Sequence, residues 1–250
     1  MSVVLPVASE SEILPQFVGR LREYLATNFK DESVEVIIVN NGSTDDTAGV
    51  ANRLLAELNL VGFQTAYLEY NWKDYSEAVR KGVLLSHGEH VVWLGVDIDD
   101  IGCIGRGLRV MKETGADLVL LSKYRGADWR PAKRVIINRV YNFLVRALDG
   151  LWYSDAEGYM LISSRVRPLF NSLDFSRRNT LNLNLLYFSK RLGFHIEEAP
   201  FFVTEKRRSV FLMALPEIVL HDLKAVVTVH LKFKQFAELR SYPNRSVRQS

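Results

Sequence analysis

The chain has 250 residues, 48% hydrophobic and 24% charged, with a formal net charge of +3. That length and balance fit one large globular domain, or two intimate halves, with a sizeable core. The single cysteine, Cys103, excludes an internal disulfide and points to a reducing compartment. No run reaches the roughly 18 apolar residues needed to span a bilayer.

Short apolar strands alternate with amphipathic helices through the first 120 residues. Residues 2–6 read as a strand. Ile13, Leu14, Phe17, Val18, Leu21, Tyr24 and Leu25 then recur at helical spacing. Residues 34–39, VEVIIV, form a β-branched run suited to a strand buried on both faces. The turn NNGSTDDT follows, with Ser43 or Thr44 placed to cap the next helix and Asp45 and Asp46 suited to its positive end. Residues 65–70 read as a third strand, and Ala78, Val79, Val83 and Leu84 as a helix stripe that stops at Gly88. Residues 91–96 and 117–122 are the fourth and fifth strands. This alternation predicts an α/β fold with a mostly parallel, doubly wound sheet. Beyond it, residues 134–148 and 181–192 read as helices, 153–161 as a polar turn and short strand, and 194–203 as a strand with Pro200 late in it.

Parallel sheets bind ligands at the carboxyl ends of their strands. The tips here are SES after the first strand, NNGS after the second and DIDD after the fourth. Three carboxylates within four residues repel one another unless a cation or water lies between them. Asp97 and Asp99 would share a face of an extended chain, roughly 6.6 Å apart along it, and are the candidate metal ligands. Mg²⁺ is often held by one or two carboxylates plus phosphates and water, so Asp97 alone could suffice. Asn40 and Asn41 can hydrogen-bond a base or ribose, or build an Asx turn, or both. Neither G-x-G-x-x-G nor G-x-x-x-x-G-K-[ST] occurs, which counts against a dehydrogenase or a P-loop enzyme. None of the five histidines has metal-ligand spacing.

The basic charge is uneven. Lys123, Arg125, Arg130, Lys133, Arg134, Arg139 and Arg146 are accompanied by one acid, Asp128. Solvated helix faces would explain them, as would contact with phosphate or an anionic membrane surface. Nucleic acid is not an expected partner at this net charge.

The order of motifs resembles the family 2 glycosyltransferases of GT-A fold, in particular the polyprenyl-phosphate sugar synthases of the dolichol-phosphate mannose synthase type, over about residues 2–210. The family's P-A-Y-N-E is matched by Pro6-Val7-Ala8-Ser9-Glu10, and its D-D-G-S-T-D-G-T by Asn40-Asn41-Gly42-Ser43-Thr44-Asp45-Asp46-Thr47. N-x-G-K-G-x-A falls on Asn71-Trp72-Lys73-Asp74-Tyr75-Ser76-Glu77-Ala78, and the metal-binding D-A-D-L-Q on Gly95-Val96-Asp97-Ile98-Asp99. G-S-R-Y is similar to Leu121-Ser122-Lys123-Tyr124, and D-T-Q-S-G-F to Asp155-Ala156-Glu157-Gly158-Tyr159. Three contacts are rewritten: both leading Asp residues of the second motif are Asn, Gly-Lys of the third is Lys-Asp, and the first metal Asp is Gly95.

The resemblance implies a nucleotide-sugar half at 1–100, an acceptor half at 101–210, and a C-terminal helix and basic tail at 211–250. It implies donor contacts from Pro6, Val7, Glu10, Asn40, Asn41, Ser43, Asn71, Lys73 and Asp97, with Arg207 and Arg208 as a basic loop over the diphosphate and Mg²⁺ or Mn²⁺ as cofactor. Gly95 would weaken that cation's site, and an aspartate there would strengthen it. Lys123, Arg134 and Arg139 are acceptor-binding candidates. Asp155 and Glu157 are the catalytic candidates if an acceptor hydroxyl needs a base; a phosphate acceptor needs none. The implied function is an inverting glycosyltransferase using a nucleotide sugar, with a polyprenyl phosphate as favoured acceptor. A soluble hydroxyl or amine acceptor, and a degenerate non-catalytic nucleotide-binding domain, are the alternatives. The tail stripe of Ile218, Val219, Leu220, Leu223, Val226, Val227, Leu231 and Phe233 fits a membrane surface, a packing helix or a dimer contact. The start SVVLP lacks the marks of a secretory leader, so the expected location is cytoplasmic, with a peripheral place on the inner membrane face if the acceptor is a lipid.

Overall fold

A computed structural model describes residues 1–71, 73–128, 132–172 and 181–203, without the side chains of residues 133, 134, 137, 148 and 149. The expected tail, and with it Arg207 and Arg208, lies outside the described residues. The elements are β1 (Ser2–Val7), α1 (Leu14–Asn28), β2 (Glu35–Asn41), α2 (Thr47–Leu60), β3 (Gln64–Tyr70), α3 (Tyr75–Leu85), β4 (His90–Trp93), α4 (Cys103–Thr114), β5 (Leu118–Asp128), α5 (Ala132–Asp149), β6 (Tyr159–Ser163), α6 (Leu169–Ser172), α7 (Leu181–Arg191) and β7 (Ile196–Val203).

The strands form one sheet in the order β3-β2-β1-β4-β6-β5-β7. The β1–β2, β2–β3, β1–β4 and β5–β7 pairings are parallel, and β6 runs antiparallel to both of its neighbours. Because helices cover both faces, the central strands are buried on both sides and their residues alternate between two cores. Val3, Leu5, Val36, Ile38, Val92 and Val119 enter one core with α1, α2 and α4. Val4, Ile37, Val39, Val91, Trp93 and Leu118 enter the other with α3 and α7.

Two prolines lie where the ladder can spare an N–H. The β1–β4 pairing ends at Val4↔Trp93, and Val4 O accepts from Leu94 N–H. Pro6, two residues on, faces the same side, where β4 has already left. Pro200 sits on the edge strand β7 beside a register shift between Ser122 and Ala127.

Three expectations change. The fourth strand ends at Trp93, not residue 96, and residues 94–100 turn rather than extend. Helix α2 starts at Thr47 and is not capped by Ser43 or Thr44, whose hydroxyls bond the preceding turns instead. Helix α4 is absent from the sequence reading, because Gly102, Gly105 and Gly107 dilute its apolar pattern. Its buried residues Ile104, Leu108 and Met111 nevertheless keep helical spacing. Cys103, at its start, is fully buried, and burial pushes its thiol pKa far up, consistent with a packing role. No helix among the described residues is long and apolar enough to cross a membrane.

The β5–β6 half is fastened by a buried ion pair. Asp155 is 0% and Lys123 8% exposed, and Lys123 Nζ reaches Asp155 Oδ1 at 2.8 Å and Oδ2 at 2.7 Å. Removing one partner leaves a buried charge unmatched, so Lys123→Met should cost about 3–5 kcal/mol. Lys123→Met/Asp155→Leu should recover most of that loss, which denaturant unfolding of the two variants would measure.

Candidate active site

The chain passes from β1 outward to β2 and β3, then returns to place β4 on the other side of β1. The reversal puts a crevice between the carboxyl ends of β1 and β4, where open α/β sheets take ligands. It is deepened because β2 and β3 continue to Asn41 and Tyr70, while β4 stops opposite Val4.

The turns after β1 and β2 form its floor and are bonded to each other. Ser9, in a left-handed conformation (φ 56°), donates its N–H to Ser43 Oγ at 2.9 Å. Thr44 N–H donates to Ser9 Oγ at 3.0 Å, and Glu10 N–H to Thr47 Oγ1 at 2.8 Å. Asp45 accepts from Ser11 and Thr47. The Thr47 hydroxyl first, then that of Ser11, holds its carboxyl far below the ordinary aspartate pKa. Pro6 and Val7 form the buried end of β1 beneath this floor.

Asn40 is 2% exposed and bonded into the fold. Its amide donates to Tyr67 Oη at 3.2 Å and Glu69 Oε1 at 2.9 Å, and its carbonyl accepts from Ser43 Oγ at 2.5 Å. All its hydrogen-bonding capacity is used. An aspartate here would set two carboxylates against each other, which is a physical reason for Asn. Asn41 differs: Oδ1 accepts from Asp74 N–H at 2.9 Å, and its Nδ2 makes no hydrogen bond among the described residues. Asp74, the second rewritten position, is the N-cap of α3 and accepts from Glu77 N–H at 3.1 Å. Asn71 and Lys73 lie exposed on the loop between β3 and α3.

The acidic cluster after β4 is largely consumed by the fold. Asp99 pairs with Arg20 at 3.5 Å. Asp100 pairs with Arg106 and accepts from Phe202 N–H. The extended strand assumed for Asp97 and Asp99 is not there: the chain turns after Trp93, and Asp99 is directed to Arg20 of α1. Asp97 remains exposed. No group of three His, Cys, Asp or Glu side chains gathers among the described residues.

Two tyrosines complete the crevice; both lie within the motif matches, but neither was expected as a site residue. Tyr159 starts β6, its ring edge-on to Phe201 at 5.6 Å. The preceding residue must be glycine, since a Cβ on Gly158 would lie 2.4 Å from Leu121 O. Tyr159 Oη reaches Gly95, where a Cβ would meet it at 2.7 Å and Asp97 Oδ1 at 2.8 Å. The space for a carboxylate at position 95 is thus filled by a phenol. Burial, then Tyr75 and Asp97, raises the Tyr159 pKa well above its ordinary value. Tyr75 opens α3 and is 37% exposed, yet crowded enough that desolvation, ahead of Asp97 and Glu10, pushes its pKa up as well. Both hydroxyls therefore stay protonated at neutral pH and carry a proton that can be donated. Asp97, after β4, and Glu10, after β1, both act electrostatically on Tyr75.

The half expected to bind the acceptor holds a cavity of about 310 Å³, lined by Tyr124, Arg139, Asn142, Arg146 and Ser154. Asn142 is 4% exposed; Oδ1 accepts from Ala156 N–H at 2.8 Å, while Nδ2 has no partner among the described residues. Arg146 is held by Tyr153 O at 3.0 Å. Of the candidates for this half, Arg139 reaches the cavity, and Arg134 lies on α5 with its side chain outside the description. Lys123 and Asp155 are buried against each other, each occupied by the other's charge. Glu157 is exposed and accepts from Asn138 Nδ2 at 3.1 Å.

Known proteins are similar to this chain in sequence or in fold. A bactoprenol glucosyl transferase of Shigella phage SfV is 30% identical over 131 residues, 52% of this chain and 41% of that protein. The Haloferax volcanii glycosyltransferase AglD is 26% identical over 208 residues, 80% of this chain and 32% of that protein. The chain thus spans less than half the length of these relatives. Among solved structures, Mycobacterium tuberculosis glucosyl-3-phosphoglycerate synthase, in complex with Mn²⁺, UDP-glucose and phosphoglyceric acid, superposes with a TM-score of 0.62. It is 20% identical, and the match covers 92% of this chain and 78% of that one. Mannosyl-3-phosphoglycerate synthase from Rubrobacter xylanophilus gives a TM-score of 0.63 at 18% identity, over 94% and 74% of the two chains. The fold is GT-A, as the motif order implied. With the sequence profile of that family matching residues 2–166, the chain belongs to glycosyl transferase family 2.

Proposed function

We propose that the chain is the catalytic part of an inverting glycosyltransferase that moves a sugar from a nucleotide-sugar donor to a polyprenyl phosphate. The observation that carries the acceptor reading is the cavity beside α5, with two arginines and a buried amide N–H unpaired among the described residues, in a half whose buried carboxylate is paired with Lys123. A phosphate nucleophile is already largely dianionic at neutral pH and needs no base. Arginines and an amide N–H suit its oxygens. The relatives named bactoprenol glucosyl transferase support the same acceptor class.

In this reading the donor enters the crevice between β1 and β4. Asn41 Nδ2 and Lys73 meet the nucleotide, and Asp97 with the Tyr75 and Tyr159 hydroxyls faces the diphosphate. An acceptor phosphate oxygen attacks the anomeric carbon as the bond to the diphosphate breaks, and the nucleoside diphosphate leaves with the electron pair. The residues fit a hard cation only in part: Asp97 offers one carboxylate, enough for Mg²⁺ or Mn²⁺ held mainly by phosphate and water, and such a cation, when bound, supplies charge neutralisation on the leaving group. The neutral phenol in place of a second carboxylate removes one repulsion from the diphosphate. Arg207 and Arg208 remain proposed covers for it.

Purified protein with a panel of nucleotide sugars and a short-chain polyprenyl phosphate tests the reaction. Asp97→Asn should lower transfer about 10²–10³-fold. Glu157→Gln should lower it far less than the ~10²–10⁴-fold of losing a general base. A large loss with Glu157→Gln, and transfer only to a hydroxyl acceptor, would make Glu157 the base and reject the phosphate acceptor. Nucleotide binding without turnover on any acceptor would favour a non-catalytic domain. Arg139→Ala should raise the acceptor KM, more at low salt than at high.

Position 95 gives a separate test, which reverses the sequence expectation. Gly95→Asp should not strengthen cation-dependent binding of nucleoside diphosphates; its Cβ crowds Tyr159 Oη, at a cost of about 1–3 kcal/mol in stability. Gly95→Asp/Tyr159→Phe removes the hydroxyl and should regain stability and bind nucleotide more tightly in Mn²⁺ than in EDTA. Thermal melts and calorimetric titrations of both variants would check this.

A further inference from the structure

Helix α5 turns an apolar stripe outward. Ile136, Val140 and Phe143 recur at helical spacing and are 59%, 51% and 67% exposed, and Trp152, just beyond the helix, is 79% exposed. Single exposed apolar residues are ordinary, but a run of large ones along one helix marks a contact surface. The same helix carries Lys133, Arg134, Arg139 and Arg146 against one acid, Asp149. At 3.6 residues per turn, Arg139 and Arg146 follow one border of the stripe.

We propose that this face of α5, with Trp152, docks the protein on an anionic bilayer surface. An apolar strip bordered by cations, with aromatic rings among its members, is the composition of a helix lying in the membrane interface. The charge complements anionic headgroups. A second copy of the chain fits less well, because pairing two such stripes brings like-charged arginine borders together. Position adds a further argument. Arg139 and Arg146 also line the cavity with the unpaired Asn142 amide, so a phosphate carried by a membrane lipid would meet the cavity at the bilayer's edge. Docking itself does not depend on the acceptor's identity, and it is measured without nucleotide or acceptor.

The full chain is floated with equimolar phosphatidylcholine–phosphatidylglycerol vesicles, and separately with phosphatidylcholine alone. Wild type should partition onto the mixed vesicles and release as salt rises. Phe143→Ser and Trp152→Ser should each lower the partition coefficient about tenfold, and Ile136→Ser/Val140→Ser by a similar factor. Because these side chains are exposed, melting temperature and nucleotide binding should stay at wild-type values. Transfer to a water-soluble, short-chain prenyl phosphate, assayed without vesicles, should also be unchanged. Failure of that transfer in wild type would sink the acceptor reading and leave the docking result standing. No partition of wild type, or partition unaffected by the four substitutions, would overturn the proposal. So would a wild-type dimer that Phe143→Ser dissociates while vesicle binding persists, which would make the stripe a self-association surface.

Discussion

The early departure of β4 from the sheet governs the rest of the site. Its pairing with β1 ends at Val4↔Trp93, while β1, β2 and β3 run on together as far as Val7, Asn41 and Tyr70. The gap that opens is the crevice. It is also why a proline is tolerated in the central strand β1, why Gly95 is brought against Tyr159, and why Asp97 emerges on a turn. Had β4 continued to residue 96, Pro6 would have cost a ladder bond and the acidic segment would have pointed alternately into the two cores.

The strands and most helices were legible because their apolar periodicity is the same physics that buries them. Residues 34–39 could be read as a strand with two buried faces, and residues 13–25 as one helix face, without knowing their partners. What was not legible depends on contacts distant in sequence. Asn40 looks like a ligand residue until Glu69, 29 positions away, is found beside it. Asp155 looks like a catalytic base until Lys123 is found buried against it. Gly95 reads as a missing ligand, whereas the structure shows a position filled from β6. Periodicity reports burial, and burial does not say which polar group is already taken.

The site's electrostatics follow from where its charges are spent. Asp99, Asp100 and Asp155 are neutralised by Arg20, Arg106 and Lys123. Glu198 is held by Arg125 and the Ser154 hydroxyl. Carboxylates that appear abundant in the sequence thus leave few facing either cavity. The carboxylates already paired within the fold leave the crevice opposing a polyanion less than its composition suggests, and the described lining of the cavity beside α5 is net positive.

The bonded turns after β1 and β2 carry a thermodynamic consequence. Loops that close over a ligand ordinarily lose conformational freedom on binding, and that loss subtracts from affinity. Here Ser9, Ser11, Ser43, Thr44, Asp45 and Thr47 restrain one another through side-chain bonds across the two turns. The ordering entropy of the crevice floor is therefore spent during folding. Association at that floor should show a smaller unfavourable entropy than an unlinked pair of loops would impose, and the same links transmit a displacement of either turn to the other.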